Sequence, residues 1–414
     1  MMSRNKGIIA IIIILPLCIL AIAANSIIAC RIIAFTLSFI CIIRGMRERS
    51  LVNPYYLFVI TPISLMMYAN VSDLYMGDLE LRTWLIAIIN MGAFIIALTV
   101  APTYSKEPLY YDIGEDSNIG RHIVVLSLLG FIPIYANFLF GIQMPFYSVF
   151  SLFYIPALVC ALYSKQKKYI LIIILLTIIP WFTNVGKTTV LAFVLCCIIS
   201  YEAFNELTAK ARTKLLILCI TAGVIMLLAF SFANQSRGTS TADSRLQYYT
   251  TYGQVIWSKG GLWFMPYMYL TTPWSNLQFL MTTQNVRTNG LWLLRPFIAY
   301  FQLDGLFEAQ YALIAKSSFN TFGFIAPHFK DFGFLGSIIP SFILGVFVKW
   351  VYTRAQSTKR PLDIACYVFT AQAVVEMFFS NHFLQQSYPI TIVILIAIYR
   401  VVFCGRMRIG RNTR

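Results

Sequence analysis

The sequence predicts an all-α, polytopic integral membrane protein of about twelve transmembrane helices, with one large loop outside the cytoplasm that contains short interfacial helices. Three observations carry this prediction. Of the 414 residues, 59% are apolar and only 12% charged, and the mean hydropathy is +0.73, far from the balance of a soluble globular chain. The apolar residues are gathered into runs long enough to cross a hydrocarbon core, which takes roughly 20 residues of helix. The connections between runs are short, with one exception of almost a hundred residues.

In chain order the runs cover residues 8–24, 27–43, 51–71, 83–101, 122–140, 147–163, 169–184, 185–201, 215–233, 332–352, 363–380 and 389–404. The first also has the look of a signal peptide, with Arg4 and Lys6, an Ile-rich centre and Ala21-Ile22-Ala23. Because a second run follows at once, it is read as a retained first helix. The basic residues then sort by side. With the N-terminus inside, 22 of the 32 Lys and Arg fall on the cytoplasmic face, at Arg4 and Lys6, at Arg44, Arg47 and Arg49, at Lys106 and Arg121, at Lys165, Lys167 and Lys168, at Lys210, Arg212 and Lys214, at Lys349, Arg354, Lys359 and Arg360, and at Arg400, Arg406, Arg408, Arg411 and Arg414. This is the asymmetry that orients membrane proteins, and twelve spans place both termini in the cytoplasm. The net charge of +16 is thus explained without a nucleic-acid partner. The nine cysteines lie in or beside apolar runs and read as reduced core residues.

The chain reads as one membrane domain, 1–414, with the large loop, residues 234–331, inside it. That loop is rich in aromatic residues, which argues for a folded segment, with helices lying in the membrane interface. It carries Arg237, Arg245, Lys259, Arg287, Arg295, Lys316 and Lys330 against Asp243, Asp304 and Glu308, on the face where positive charge is disfavoured. An anionic ligand accounts for the excess. Arg245, Tyr248, Tyr249 and Tyr252 recur at helical spacing and form one face, suited either to interfacial anchoring or to sugar and headgroup contact.

Several motifs are false. "NVGKTT" imitates the end of a phosphate loop, but its first glycine would have to stand at Trp181. "DFG" at 331–333 lacks every accompanying kinase segment. His122, His328 and His382 have no metal-ligand spacing, so neither a metal nor another cofactor is expected. What remains is a cationic, aromatic external site beside lipid. Arginine holds phosphate oxygens in a fork. A polyprenyl pyrophosphate would supply both a membrane anchor and a leaving group. Cations would meet the charge that develops on the departing pyrophosphate, and a carboxylate or histidine would take the proton of the acceptor hydroxyl.

Each candidate also has a structural explanation. Arg237 follows a run directly and would serve as an anchor; Arg245, Arg287 and Arg295 would pair with loop acids. Lys187 would snorkel from the outer surface. Asp331 would cap a helix beginning at Phe332, His328 and Lys330 crowd the same entrance, and Glu376, inside the eleventh run, would bond a neighbouring helix. Glu376 or His382, at the same depth, stands next in line to Asp331 as proton acceptor.

"FNTFGFIAPHFKDFGFLG", residues 319–336, together with "NQSRGTS" and "YLTTPW", resembles the bacterial O-antigen polymerase family, the Wzy-type oligosaccharide repeat-unit polymerases. The resemblance covers about residues 187–345. It implies a metal-independent, inverting glycosyltransferase that polymerises undecaprenyl-pyrophosphate-linked repeat units at the periplasmic face of the inner membrane, in lipopolysaccharide biosynthesis. An O-antigen ligase and a lipid-linked oligosaccharide flippase are the alternatives. A chain-length regulator and a flippase of the same pathway are the implied protein partners. Arg237 in "SRG" and Asp331 in "DFG" match positions the family uses in catalysis. Lys187 stands where many members have arginine, and Asn320 belongs to the family's Asn-x-Thr segment. With Arg245, Tyr252, Arg287, Arg295, His328, Lys330 and Glu376, these form the expected substrate site.

Overall fold

The computed structural model describes residues 26–48, 50–71, 79–104, 119–142, 144, 146–184, 187–205, 208, 210–217, 221, 223, 264–283, 287–307, 321–385 and 387–400. Arg237, Arg245, Tyr252 and Asn320 lie outside them, as do the expected first span and most of the ninth; of Lys187 only the backbone is described. Among the described residues the fold is all-helical, with no strand beyond one isolated bridge between Gly323 and Ser380. Five helices are long and apolar enough to cross a membrane: Ile27–Arg47, Leu81–Val100, Ile119–Phe140, Ile338–Thr358 and Pro361–Phe378. Shorter apolar helices, among them Ser387–Ile398, stand beside them.

The first half contributes α1 (Ile27–Arg47), α2 (Pro54–Phe58), α3 (Ile60–Val71), α4 (Leu81–Val100), α5 (Ile119–Phe140), α6 (Tyr147–Phe150), α7 (Tyr154–Tyr163), α8 (Lys167–Asn184) and α9 (Lys187–Phe204). The second half contributes α10 (Phe264–Thr283), α11 (Leu291–Tyr300), α12 (Ile325–Gly336), α13 (Ile338–Thr358), α14 (Pro361–Val375) and α15 (Ser387–Ile398). Local chemistry sets many of the boundaries. Ser26 accepts the Ala29 amide and Asn53 the Tyr56 amide as N-caps, and Pro54 and Pro361 occupy first-turn positions where no amide hydrogen is needed.

Two apolar cores hold the helices. One joins α1, α3, α4, α10 and α12 around Phe58, Phe94 and Phe324; the other joins α5, α7, α9, α14 and α15 around Tyr154, Phe153 and Phe369. Helix α13 runs beside α4 in the same direction. Asn90 donates to Ser337 Oγ at 3.0 Å, and Ser341 donates to Asn90 at 2.6 Å. At Gly345 any Cβ would lie 2.6 Å from both Ala97 Cβ and the Phe94 carbonyl oxygen. Small residues that let helix backbones approach are the usual basis of packing inside a membrane.

The structure departs from the sequence expectation in three places, all of which shape the site. The expected span 332–352 is not one helix: Gly333, with φ 77 and ψ −164, breaks it, and α13 starts only at Ile338. The expected span 363–380 stops as an α-helix at Val375, and two 3-10 turns, Glu376–Phe378 and His382–Leu384, follow. Within the stretch expected as a loop, α10 is a 20-residue helix that packs into the first core, with Thr271, Thr272, Trp274, Ser275 and Asn276 buried. Trp274 donates to Ser64 at 3.0 Å and Asn276 to the Thr321 carbonyl at 2.7 Å. Its polar side chains are satisfied inside the bundle, which lets so mixed a sequence be buried.

The two ends of the bundle differ. At one, Lys349 pairs with Glu48 and Arg354 with Asp363, each at 2.7 Å, and Glu202 accepts the Leu51 amide at 3.2 Å. The other end gathers the end of α10, the turn before α11, the broken α12 and the 3-10 turns after α14.

Candidate functional site

At that second end the segment 287–293 lies against α12. The Thr288 amide donates to the Lys330 carbonyl at 3.1 Å and the Asn289 amide to the Asp331 carbonyl at 3.2 Å. This sets Arg287 beside Lys330 and Asp331 against the start of α11, while Arg295 stands further along α11 and His328 one turn back on α12.

Asp331 is 1% exposed and heavily engaged. Its Oδ1 accepts the Thr288 hydroxyl and the Trp292 amide at 3.0 Å, and its Oδ2 accepts the Leu293 amide at 3.0 Å. Trp292 and Leu293 are the second and third residues of α11, whose N-cap, Gly290, has no side chain to offer. Asp331 therefore caps a helix, as the sequence suggested, but a different one. The helix expected to begin at Phe332 already contains Asp331, and the carboxylate reaches across to the amides and positive dipole end of α11.

Arg287 donates from Nη1 to the Phe329 carbonyl at 2.7 Å, and its Cζ stands 4.5 Å from the centre of the Phe329 ring. A Cβ on Gly333 would lie 3.2 Å from that guanidinium, so the glycine's left-handed backbone and missing side chain leave room for it. Lys330 is buried nearby; burial and the Arg287 charge push its ammonium below the usual lysine range. Arg295 lies over the Trp292 indole at 4.5 Å. The loop acids expected to pair with these arginines, Asp243, Glu308 and the side chain of Asp304, lie outside the described residues.

A third group comes from the turns after α14. Glu376 Oε2 meets His382 Nε2, and both residues are buried. Glu376 sits at the end of its helix rather than within a continuous span. His328, 3% exposed, contacts Asn381, with Nε2 3.1 Å from Nδ2, and burial lowers its pKa to about 4. An apolar groove of about 640 Å³ reaches His328 from between α11, α13, α14 and α15.

Sequence reasoning missed Thr288, Gly333 and Asn381. "RTNG" before an apolar run is a turn signal, and Gly333 and Gly336 punctuate the tenth run; both signals were present. Asn381 had none, because its partner is 53 residues away.

No family model, curated protein or solved structure matches the chain; the resemblance to O-antigen polymerases rests on the sequence motifs.

Proposed function

We propose that the protein is a glycosyltransferase that polymerises undecaprenyl-pyrophosphate-linked O-antigen repeat units at the periplasmic face of the bacterial inner membrane, with both termini in the cytoplasm. The observation that carries this reading is the adjacency of two cations, Arg287 and Lys330, at helix α12, whose residues His328, Phe332 and Gly336 line an apolar groove in a helical bundle built for a membrane. Adjacent cations repel each other, and an anionic ligand relieves that repulsion. A lipid pyrophosphate satisfies the cations and the groove at once. The sequence resemblance adds the reaction class.

In this reading Arg287 and Lys330 bind the pyrophosphate and stabilise charge as the bond from the sugar's anomeric carbon to its oxygen breaks, with Arg237 contributing from the preceding loop. The acceptor hydroxyl attacks that carbon from the opposite face and gives its proton to the Glu376–His382 pair. Asp331 holds the turn carrying Arg287 and the start of α11, and acts as a positioning residue.

The decisive experiment is deletion of the gene in its host, followed by the lipopolysaccharide profile. Single repeat units on the core indicate a lost polymerase. Bare core with accumulated lipid-linked polymer indicates a ligase, bare core with repeat units trapped inside indicates a flippase, and an unchanged profile removes the protein from this pathway.

A further inference from the structure

The turn that carries Glu376 and His382 is docked on the residues that open α12. The Phe324 amide donates to the Met377 carbonyl at 2.9 Å, and the Gly323 amide donates to the Phe379 carbonyl at 3.1 Å. Gly323 permits this approach. Its φ is 61, and a Cβ there would lie 3.2 Å from the Phe378 carbonyl oxygen, so glycine suits both the left-handed backbone and the close contact. Beyond these backbone bonds a side chain also joins the two segments. Asn381 is buried, and its Nδ2 lies 3.1 Å from the Phe324 carbonyl oxygen and 3.1 Å from His328 Nε2.

Donor and acceptor roles in this contact follow from elementary chemistry. A carbonyl only accepts, so the amide nitrogen of Asn381, and not its oxygen, faces Phe324. The second hydrogen of that nitrogen goes to His328 Nε2, which is therefore bare. Burial keeps the ring neutral, with its pKa lowered to about 4, so Nε2 stays an acceptor at neutral pH. The next residue, Phe329, offers its carbonyl to Arg287 Nη1 at 2.7 Å. Two consecutive residues of α12 thus hold the turn with Glu376 and His382 on one side and the Arg287 guanidinium on the other. Glu376 lies before Asn381 and His382 directly after it, and the two meet across the turn.

We propose that Asn381 is a positioning residue: by docking its turn on His328 and the Phe324 carbonyl, it sets the Glu376–His382 pair in place against the helix that also holds Arg287. His328 is then the acceptor for that dock and not a contact to substrate. Release of Asn381 frees carboxylate and imidazole from their common register, and a displacement of about 1 Å in such a group can cost about 100-fold in rate. The catalytic side of this role rests on the reading of the pair as proton acceptor; the dock itself does not.

Nitrogen NMR of the full-length, histidine-labelled protein in lipid bilayers tests the dock without substrate. The chain has three histidines, and the ring resonances of His382 are identified by their loss in His382→Gln. Asn381→Ala should shift them, and so should His328→Leu, which removes the acceptor from the other side. His328→Gln, whose Oε1 stands in for Nε2, should leave them near their parent values. Gln385→Ala cuts a bond within the same turn, to Ser380 Oγ at 2.8 Å, that does not involve α12, and should leave them unmoved as well. On purified lipid-linked repeat units, Asn381→Ala should lower kcat by roughly 10- to 100-fold, the cost of a misplaced proton acceptor, with KM within about threefold of the parent. A proton on His328 Nε2, unmoved His382 resonances in Asn381→Ala and His328→Leu, or equal shifts in His328→Gln or Gln385→Ala overturn the dock. Parent-like kinetics, or a raised KM with kcat unchanged, overturn the positioning role. Shifted resonances in a protein that polymerises nothing would sink the polymerase reading and the catalytic side of this one, leaving the dock; unmoved resonances in a working polymerase would sink this inference alone.

Discussion

Asp331 is the residue whose role the geometry changes most. Its two oxygens receive three donors, so alanine would leave two amides and a hydroxyl buried without partners, at about 1–3 kcal/mol each before relaxation. Asp331→Ala should therefore sharply lower the melting temperature of the purified protein and its level in the membrane. Asparagine keeps one acceptor and caps nearly as well, so Asp331→Asn should fold and retain turnover on purified lipid-linked repeat units within roughly tenfold. A fall of about 100-fold or more, the scale of a lost general base, would return the carboxylate to proton transfer. His328 yields a second measurement. Free histidine titrates near 6.5 and the buried ring near 4, so below 6.5 the unfolded chain binds a proton that the folded one refuses. Stability should fall as pH drops from 6.5 towards 4, by at most about 1.4 kcal/mol per unit; a melting curve as pH-sensitive in His328→Gln as in the parent would assign the effect elsewhere. The sequence named both residues, because ionisable groups at the edge of an apolar run are conspicuous. It could not name their partners, since Thr288 and Asn381 are distant in the chain and ordinary in type.

At the scale of elements, hydropathy located the helices better than it located their ends. The runs at 27–43 and 83–101 became α1 and α4 within a few residues, because a continuous apolar segment has little choice but a helix in lipid. The breaks at Gly333 and Val375 were hidden for the same reason: Phe332, Phe334 and Leu335 keep the average high while the backbone turns. Helix α10 was hidden differently, since Thr271, Ser275 and Asn276 made it look like a surface segment until Ser64 and Thr321 paired with its neighbours and itself. Gly333 ties this irregularity to the site. Its φ of 77 and ψ of −164 belong to a region only glycine occupies without strain of about 1–3 kcal/mol, and a methyl there would press on the Arg287 guanidinium. Gly333→Ala should lower stability by that amount and cut polymer formation further than Gly305→Ala does, where an added methyl meets nothing within 4 Å. Turnover and melting temperature both unchanged in Gly333→Ala would show that the break has no part in placing Arg287.

At the scale of the molecule, the paired and clustered charges among the described residues divide between two ends. Glu48, Glu202, Lys349, Arg354 and Asp363 meet at one, in the segments whose basic residues the charge asymmetry assigns to the cytoplasm. Arg287, His328, Lys330, Asp331, Glu376 and His382 occupy the other. Lys349 and Arg354 thus do more than mark a side, because each is neutralised by a carboxylate from another segment and ties helix ends together. The proposed chemistry requires the second end to face outward, where lipid-linked repeat units await transfer and no nucleotide is needed. Thr283 is exposed at the end of α10, close to Arg287, while Asn205 is exposed just after α9, beside Glu202. In a background with the nine cysteines replaced, Thr283→Cys should react with an impermeant thiol reagent in intact spheroplasts. Asn205→Cys should react only after the membrane is opened. Thr288, at 4% exposure and bonded to Asp331, is unsuited to this test, since its silence would report burial and not sidedness. The reverse pattern would put the cationic end in the cytoplasm, beside the nucleotide-sugar pool, and an enzyme that draws its energy from a lipid pyrophosphate on the far side would no longer fit the molecule.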